Sequence, residues 1–294
     1  MKSAKPLVSV IIPTYMRIEK LVRCISSVKS NTYRNLEIIV VNDDPSYNMR
    51  QKLGKLGVRV IQNSRRRYAA YSRNRAAKAA KGEILFFVDD DNILDKNAIA
   101  ALVAKYITLD GVGLLGPIMY DAAGKLWFYG AKINWISPYA VPVEKPARGN
   151  MLIRTEVIPN AYMVSRRAYV KVGMENWKLF KFHHHEELDM AQRLKAQGYQ
   201  NFIYTGAKTI HDYEGLQQYF NPLRLRYIVR NNMIIEKLYA PKARLALFLL
   251  TFVPVHMAKY LAFYIPLLGK EKLSLYRAYF TGLSEGINFL VKRP

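Results

Sequence analysis

The sequence predicts an α/β domain with a mainly parallel central sheet flanked by helices, followed by a basic and apolar helical tail. Short apolar runs of strand type alternate with segments whose apolar residues recur at helical spacing, which indicates βαβ units. Each predicted strand is a continuous apolar run, as is typical of strands buried on both faces of a parallel sheet. With 294 residues, 51% of them hydrophobic, the chain is long enough to bury a sizeable core.

The first half of the chain supplies five predicted strands and three predicted helices. Helix 18–30 has apolar residues at i, i+3, i+4 and i+7, and helix 69–81 is rich in alanine and stops at Gly82. The strands are expected at 8–12, 36–41, 58–61, 84–88 and 112–115, and the remaining helix at 97–106.

The pattern becomes irregular between Pro117 and Pro159. Turn residues alternate there with aromatic residues, which favours hairpins and loops over another βαβ unit. Regular structure returns with a strand at 162–164, a helix at 166–172 and a helix at 187–197 that ends at Gly198.

The charge of the chain is strongly positive, at +23 from 45 basic and 22 acidic residues. This excess indicates an anionic partner, such as nucleic acid, an acidic membrane leaflet or a phosphorylated ligand. Cys24 is the only cysteine, which excludes an intrachain disulfide and fits a reducing compartment. A strand-like run follows residues 1–6, where a secretory signal would need a longer apolar core.

Polar residues follow three of the predicted strands. The first strand ends at Pro13-Thr14-Tyr15, the second at Asp43-Asp44 and the fourth at Asp89-Asp90-Asp91. The carboxyl ends of parallel strands share one edge of a sheet, so these residues are expected to form one site. Adjacent carboxylates repel one another, and a divalent cation with oxygen ligands would relieve that repulsion. A turn or a helix cap is the alternative explanation for each segment taken alone.

Two common nucleotide-binding motifs are absent from the sequence. No Gly-x-Gly-x-x-Gly follows the first strand, which disfavours a dinucleotide fold, and no Gly-x-x-x-x-Gly-Lys-Ser/Thr occurs, which disfavours a P-loop NTPase. A nucleic-acid-binding protein would use the positive charge, but it has no use for three aspartates at a strand end. Nucleic acid is therefore not expected as a partner.

The order of these segments resembles the inverting glycosyltransferases of family 2, which have the Rossmann-like GT-A fold. The resemblance covers about residues 7–213. The matching segments are 8–15 with Arg17, 37–44, 72–74, 82–91, 186–189 with 193–194 and 198–199, and His211. It implies a catalytic domain over 1–215, with a nucleotide-sugar half at about 1–117 and an acceptor half at about 118–215. The helical tail would then occupy 216–294.

The resemblance also implies roles for residues at the sheet edge. Asp43 would accept a hydrogen bond from the imide of uracil or thymine, and Arg73 would pair with the nucleotide or a phosphate. Asp91 would bind Mn²⁺ or Mg²⁺, joined by Asp89 and His211. The residues implied to bind the nucleotide sugar are Pro13, Thr14, Tyr15, Arg17, Asp43, Arg73, Asp89 and Asp90.

The acidic pair Glu186-Glu187 matches the family position of the catalytic base. An inverting transfer needs a carboxylate on the face of the sugar opposite the leaving group. Glu187 is the preferred base and Glu186 the reserve candidate. Asp189 and Arg193 lie four residues apart on one predicted helix, where a simple ion pair is an alternative to a functional role.

Two basic runs carry weaker hypotheses. His183-His184-His185 invites a metal interpretation, but three adjacent histidines cannot all face one ion, so a polar loop before a helix is favoured. The run Arg65-Arg66-Arg67 is equally consistent with phosphate binding and with a solvated loop.

The tail combines apolar runs at 245–255 and 260–268 with basic flanks. From Phe220 onward there are twelve Lys and Arg and three Glu. Basic and aromatic residues around an apolar helix are typical of a segment at an anionic membrane surface. A monotopic contact, one C-terminal span and a helical pair packed on protein remain alternatives.

The sequence therefore predicts a metal-dependent glycosyltransferase at the cytoplasmic face of the cell membrane. It would transfer a sugar from a UDP- or dTDP-sugar to a lipid-linked or saccharide acceptor, in polysaccharide or glycolipid biosynthesis. The alternatives within the enzyme class are a polyprenyl-phosphate sugar synthase and a sugar-nucleotide nucleotidyltransferase.

Overall fold

The protein is described by a computed structural model, in which the chain forms two compact units. The described residues are 5–135, 139–146, 149–182, 184–212, 221–268 and 271–291. Unit 1 comprises Met1–Lys132, Pro142–Lys181 and Glu186–Tyr213, and unit 2 comprises Ile133–Val141, Phe182–His185 and Glu214–Pro294. The predicted boundary between catalytic domain and tail, at 215/216, falls outside the described residues and stays a prediction.

The elements up to residue 211 follow the predicted alternation of strands and helices. The strands are β1 Val8–Thr14, β2 Leu36–Asn42, β3 Arg59–Gln62, β4 Ile84–Val88, β5 Asn92–Leu94, β6 Val112–Asp121, β7 Leu126–Phe128, β8 Ala131–Asn134, β9 Tyr139–Pro142, β10 Leu152–Arg154, β11 Ala161–Ser165 and β12 Gln200–His211. The helices are α1 Ile18–Lys29, α2 Arg50–Gly54, α3 Tyr68–Ala79, α4 Ala98–Tyr106, α5 Arg166–Lys171 and α6 Glu186–Ala196.

The central sheet of unit 1 has ten strands in a mixed arrangement. Its main path is β10-β12-β6-β11-β4-β1-β2-β3, with β5 on β12 and β7 on β6. The predicted strands β1 to β4 form one parallel block, and β6 and β12 also pair in parallel. Strand β11 lies antiparallel between β4 and β6, because the chain enters it at Ala161, opposite the carboxyl end of β4 at Val88. The antiparallel ladders in the second half were not predicted from the sequence.

Layers of helices cover both faces of this sheet. Alternate residues of β1 and β4 point to opposite sides, so Val10 and Phe86 pack in one core cluster and Ile11 and Phe87 in the other. The buried face of α1 joins the first cluster through residues spaced i, i+3, i+4 and i+7, as the sequence predicts. The resulting α/β/α sandwich fixes the strand ends at one edge of the sheet.

Strand β6 is longer than its predicted range of 112–115. It continues to Asp121 through Gly116 and Pro117, although glycine and proline residues usually indicate the end of a strand. Pairing with β12 carries it on, with a register shift between Tyr204 and Lys208. Long-range pairing therefore overrides the local turn signal.

Helix α7 (Pro222–Tyr239) and helix α11 (Lys272–Val291) form the core of unit 2. Leu225, Val229, Leu275 and Tyr279 are buried together between them. Gly282 allows close approach, because a Cβ there would lie 2.3 Å from the backbone oxygen of Arg226.

Gly282→Ala is expected to destabilise the α7–α11 pair by about 1–3 kcal/mol, because the clashing atom is backbone and cannot rotate away. Thermal unfolding of unit 2 would show a lower Tm. Gly54→Ala in α2 is the control, since its Cβ would meet nothing within 4 Å. Equal Tm values for the two variants would contradict this packing.

Between α7 and α11 runs a continuous helical segment, which we call the apolar helix (242–268). It consists of α8 Lys242–Leu247, a π-helical turn Phe248–Phe252, α9 Val253–Lys259, a second π-helical turn Tyr260–Tyr264 and α10 Ile265–Leu268. Each π-helical turn ends two residues before a proline, Pro254 or Pro266. In a regular α-helix the proline ring would clash with the carbonyl group four residues earlier. Widening the turn accommodates the proline without ending the helix.

The range Lys242–Ala262 is long and apolar enough to cross a membrane, with a mean hydropathy of 1.6. Only 12% of its most apolar window is buried within the described protein. Leu250 and Val255 are among its exposed residues. Phe248, His256 and Ile265 on the apolar helix are buried.

Candidate active site

The carboxyl ends of β1 and β4 are tied together by a buried hydrogen bond. Thr14 Oγ1 donates to Asp90 Oδ2 at 2.6 Å, and Asp90 is fully buried. Arg17 pairs with both neighbouring acids, at 2.6 Å from Asp90 Oδ1 and 2.8 Å from Asp91 Oδ2. Burial raises the pKa of Asp90 to about 7, although Arg17 and Thr14 oppose the shift. Asp90 thus connects the two strand ends, while Pro13 lies buried within β1.

Asp91 lies beside His211 at the end of β12. Its Oδ1 is buried 3.6 Å from His211 Nε2, and none of the residues that the structure describes donates a hydrogen bond to it. Burial alone would raise the pKa of Asp91, yet His211 and Arg17 hold it below its ordinary value. The exposed ring of Trp127 contacts the His211 ring at a tilt of 43°, with ring centroids 4.7 Å apart.

Asp91 and His211 fit a divalent cation that takes its other ligands from a diphosphate. Mg²⁺ typically uses one or two carboxylates plus substrate phosphates, and the buried Asp91 Oδ1, which receives no hydrogen bond from the described residues, suits that role. Among the described residues, no three His, Cys, Asp or Glu side chains are grouped to hold a metal by themselves. Asp89, the third predicted ligand, pairs instead with Arg73 at 2.7 Å.

Asp43, at the end of β2, holds the start of α3. Its Oδ1 accepts from the backbone N–H of Arg67 at 2.8 Å and from Asn63 Nδ2 at 2.7 Å, and its Oδ2 accepts from the backbone N–H of Tyr68 at 2.7 Å. Such bonds satisfy N–H groups that a helix start leaves unpaired. The predicted contact with a base imide is a role additional to this structural one.

Tyr15 is covered by an arginine from the basic run. The Arg66 guanidinium lies 3.9 Å from the centre of the Tyr15 ring and 4.9 Å from that of Tyr68. The run 65–67 therefore contacts the predicted base-binding loop through cation–π stacking.

Arg73, on α3, connects two predicted parts of the site. Its side chain is 1% exposed; Nη2 donates to Asp89 Oδ1 at 2.7 Å, and Nη1 donates to Glu187 Oε1 at 2.7 Å. Burial would lower the pKa of Arg73, but Asp89 and Glu175 hold it well above its ordinary value. Its partners here are protein carboxylates, while the predicted contact with a nucleotide or phosphate stays a prediction.

The two candidate bases differ in accessibility. The Glu187 side chain is 16% exposed and the Glu186 side chain 1% exposed, both in the first turn of α6. On the same helix, Asp189 and Arg193 form an ion pair at 2.7 Å, as the simpler interpretation predicts.

A third carboxylate, Glu175, was missed by sequence reasoning. It lies in the loop between α5 and α6 with no motif around it, 102 positions from Arg73. Its Oε1 accepts from the Tyr162 hydroxyl at 2.6 Å and lies 3.4 Å from Arg73 Nη1. Burial raises the pKa of its carboxyl above the ordinary value, and Glu187 and Glu186 add to the shift against the charge of Arg73.

Two of the three adjacent histidines share one asparagine in unit 2. His184 Nε2 and His185 Nε2 lie 3.2 Å and 2.7 Å from Asn232 Oδ1, and both residues have positive φ. An amide oxygen between two imidazoles favours the predicted polar loop over a metal site. His183 lies outside the described residues.

Comparison with known proteins identifies the family. The model of "Glycosyl transferase family 2" matches residues 9–173, more than half of the chain. The chain belongs to glycosyl transferase family 2. The match covers strands β1 to β11 and includes Asp43, Arg73 and the three aspartates after β4.

Two curated relatives illustrate the family likeness. Glycosyltransferase GlyG of Streptococcus pneumoniae is 32% identical over 130 residues, covering 42% of this chain and 43% of that protein. The Escherichia coli protein WfgD, named UDP-Glc:alpha-D-GlcNAc-diphosphoundecaprenol beta-1,3-glucosyltransferase, is 36% identical over 104 residues, 34% of this chain and 41% of that protein. The chain thus spans less than half the length of these relatives.

The solved structure of GalNAc-T7 with UDP, GalNAc and Mn²⁺ shares the fold. Its TM-score is 0.63 at 19% identity, covering 78% of this chain and 48% of that one. The predicted α/β class and GT-A fold are confirmed. The mixed sheet and the strand-edge site described above thus belong to a member of family 2 with the GT-A fold.

Proposed function

We propose that this family 2 member transfers a sugar from a UDP- or dTDP-sugar to a hydroxyl of a lipid-linked or membrane-associated acceptor, with inversion at the anomeric carbon. One observation carries the proposal. A single buried guanidinium, that of Arg73, hydrogen-bonds both Asp89 after β4 and Glu187 on α6. This shared partner supports a site in which Asp89 faces the donor and the accessible Glu187 faces the acceptor.

The donor nucleotide would bind along the ends of β1 and β2. Tyr15 and Arg66 offer flat surfaces for a base, and Asp43 offers carboxylate oxygens within the same edge of the sheet. Arg17 supplies positive charge beside Asp90 and Asp91. The UDP of the GalNAc-T7 structure supports a uridine nucleotide.

Asp91 and His211 would hold the divalent cation, Mn²⁺ or Mg²⁺, and Asp89 would face the ribose or the sugar. When bound, such a cation neutralises negative charge on the leaving diphosphate. The Mn²⁺ in the GalNAc-T7 structure supports this requirement. Arg17, now paired with Asp91, would have to release that carboxylate to the cation.

Glu187 would take the proton of the attacking acceptor hydroxyl. Arg73 orients Glu187 Oε1, and the partial exposure of the Glu187 side chain lets an acceptor approach. Glu186 is buried in the same turn and would reach an acceptor only after a rearrangement. The base assignment therefore favours Glu187.

A membrane-associated acceptor is supported by the apolar helix and by relatives. The name of WfgD specifies a diphosphoundecaprenol-linked acceptor. The apolar helix has basic flanks at Lys242 and Arg244, suited to an anionic leaflet such as the cytoplasmic face of a cell membrane. The anionic partner of this positively charged chain would then be lipid.

The decisive assay combines the protein and Mn²⁺ with UDP-glucose, or a dTDP- or GDP-sugar in parallel, and offers GlcNAc-diphosphoundecaprenol and undecaprenyl phosphate as separate acceptors. Release of a nucleoside diphosphate together with a sugar-extended lipid of inverted anomeric configuration is the expected result. Undecaprenyl phosphate as the only working acceptor would indicate a polyprenyl-phosphate sugar synthase. Release of inorganic diphosphate would indicate a nucleotidyltransferase, and no transfer from any donor would contradict the proposal.

The protein is expected to bind vesicles that contain phosphatidylglycerol, and Leu250→Asp is expected to weaken that binding by on the order of 10–100-fold. Leu250 is exposed on the apolar helix, so a carboxylate there opposes insertion. Ile107→Asp, at an exposed apolar residue of unit 1, is the matched control. Equal vesicle binding by the two variants in a flotation assay would count against the membrane role.

A further inference from the structure

Arg73 is surrounded by carboxyl groups. Its guanidinium lies within 4.0 Å of four carboxylates: Asp89, Glu175, Glu186 and Glu187. Glu175 and Glu186 are buried, and Asp89 and Glu187 are only partly exposed. The position of the guanidinium therefore decides which of these carboxyl groups it pairs with.

Glu175 is the carboxylate that no sequence motif and no proposed catalytic step uses. The Glu175 backbone is fixed to α3 by the Asn74 side chain. Asn74 Nδ2 donates to the backbone carbonyl oxygen of Glu175 at 2.7 Å, and Asn74 Oδ1 accepts from the backbone N–H of Glu175 at 3.1 Å. The Tyr169 hydroxyl donates to the same Asn74 Oδ1 at 2.6 Å. This arrangement fixes Glu175 beside the residue that follows Arg73.

The side chain of Glu175 supports Arg73 from the side away from solvent. Its Oε1 receives the Tyr162 hydroxyl at 2.6 Å and faces Arg73 Nη1 at 3.4 Å, the same nitrogen that bonds Glu187. Tyr162 also stacks below the guanidinium, 5.9 Å from ring centre to Cζ. Glu175 Oε1 only accepts hydrogen bonds, from Tyr162 and Arg73, so a neutral Glu175 carboxyl can make the same two bonds as a carboxylate. This agrees with the raised pKa of Glu175.

We propose that Glu175, oriented by Tyr162, is a positioning residue that holds the Arg73 guanidinium between Asp89 and Glu187. The inference rests on the proposed function, since it names what keeps the candidate base aligned with the donor-side carboxylate. Glu175 does not touch substrate in this account. Its contribution is the geometry of the Asp89–Arg73–Glu187 bridge.

Four variants test the inference. Glu175→Leu removes the acceptor oxygen, Glu175→Gln keeps it, and Tyr162→Phe removes the hydroxyl that orients it. Tyr106→Phe is the matched control, because it also deletes one tyrosine hydroxyl, which accepts from the Ser165 N–H at 2.7 Å at the opposite end of β11.

The kinetic readout is the transfer of glucose from UDP-glucose to GlcNAc-diphosphoundecaprenol. Glu175→Leu is expected to lower kcat by about 100-fold, the effect of a misplacement of roughly 1 Å, with little change in the KM for the donor. Tyr162→Phe is expected to lower kcat by about 10-fold. Glu175→Gln is expected to keep kcat within about threefold of the wild-type value. Tyr106→Phe should lower Tm but keep kcat.

The structural readout does not depend on the identity of the substrates. In crystal structures of the variants, Glu175→Leu is expected to break at least one of the two 2.7 Å contacts of Arg73, to Asp89 or to Glu187, and Tyr106→Phe to retain both. An unmoved Arg73 in Glu175→Leu, or equal kcat values for Glu175→Gln and Glu175→Leu, would overturn the inference. An inactive wild type would count against the proposed function instead, and the crystallographic distances would still decide the role of Glu175.

Discussion

Replacing Glu187 with glutamine is expected to lower kcat for sugar transfer by about 10²–10⁴-fold, the usual contribution of a general base. Glutamine is close in shape and keeps an oxygen acceptor for Arg73, so the bridge to Asp89 persists while the proton acceptor is lost. The KM for the donor should change little. Steady-state kinetics with saturating acceptor measure both quantities.

Glu186→Gln is the matched control, one residue earlier on α6. Its side chain is 1% exposed and 4.0 Å from Arg73, so its loss is expected to affect stability more than turnover. A large loss of kcat in Glu186→Gln together with near-normal turnover of Glu187→Gln would transfer the role of base to Glu186. Near-normal turnover of both variants would favour a phosphate acceptor, which needs no strong base.

Replacing Asp91 with asparagine is expected to raise the Mn²⁺ concentration for half-maximal activity by on the order of 100-fold, because ligand charge sets affinity at such sites. The change removes the negative charge beside His211 but keeps the side-chain volume. Chelation of metal should abolish activity in the wild type, and added Mn²⁺ should restore it. Titration of activity against Mn²⁺ gives the shift.

Asp95→Asn provides the control for a lost carboxylate. Asp95 is exposed after β5, and its Oδ1 accepts from the backbone N–H of Asn97. The Asp95→Asn substitution is expected to leave the Mn²⁺ dependence of activity unchanged. An unaltered Mn²⁺ titration in Asp91→Asn would show that the cation binds elsewhere or is not needed.

Local patterns were sufficient to predict the parallel part of the fold and the location of the site. Three consecutive aspartates after a continuous apolar run can only follow the strand, because a buried strand excludes unpaired charge. The register Thr14↔Asn42, with Asp90 bonded to Thr14, places the ends of β1, β2 and β4 together as expected. The Asp189–Arg193 pair likewise follows from helical spacing.

Features that depend on long-range pairing were not predictable. The antiparallel entry of β11 and the extension of β6 through Gly116 arise from ladders between distant segments. Glu175 carries no local signal, and its role depends on Arg73 and Tyr162. The partners of the three aspartates are also not revealed by spacing: Asp89 pairs with Arg73, whereas Asp90 and Asp91 share Arg17.

Anomalous diffraction from a crystal grown with Mn²⁺ and UDP tests the central claim most directly. We expect one manganese peak at bonding distance, about 2.0–2.3 Å, from an Asp91 carboxylate oxygen and in contact with the diphosphate, with Arg17 withdrawn from Asp91. Bound UDP with no manganese near Asp91 and His211, and with the Arg17–Asp91 pair intact, would contradict it.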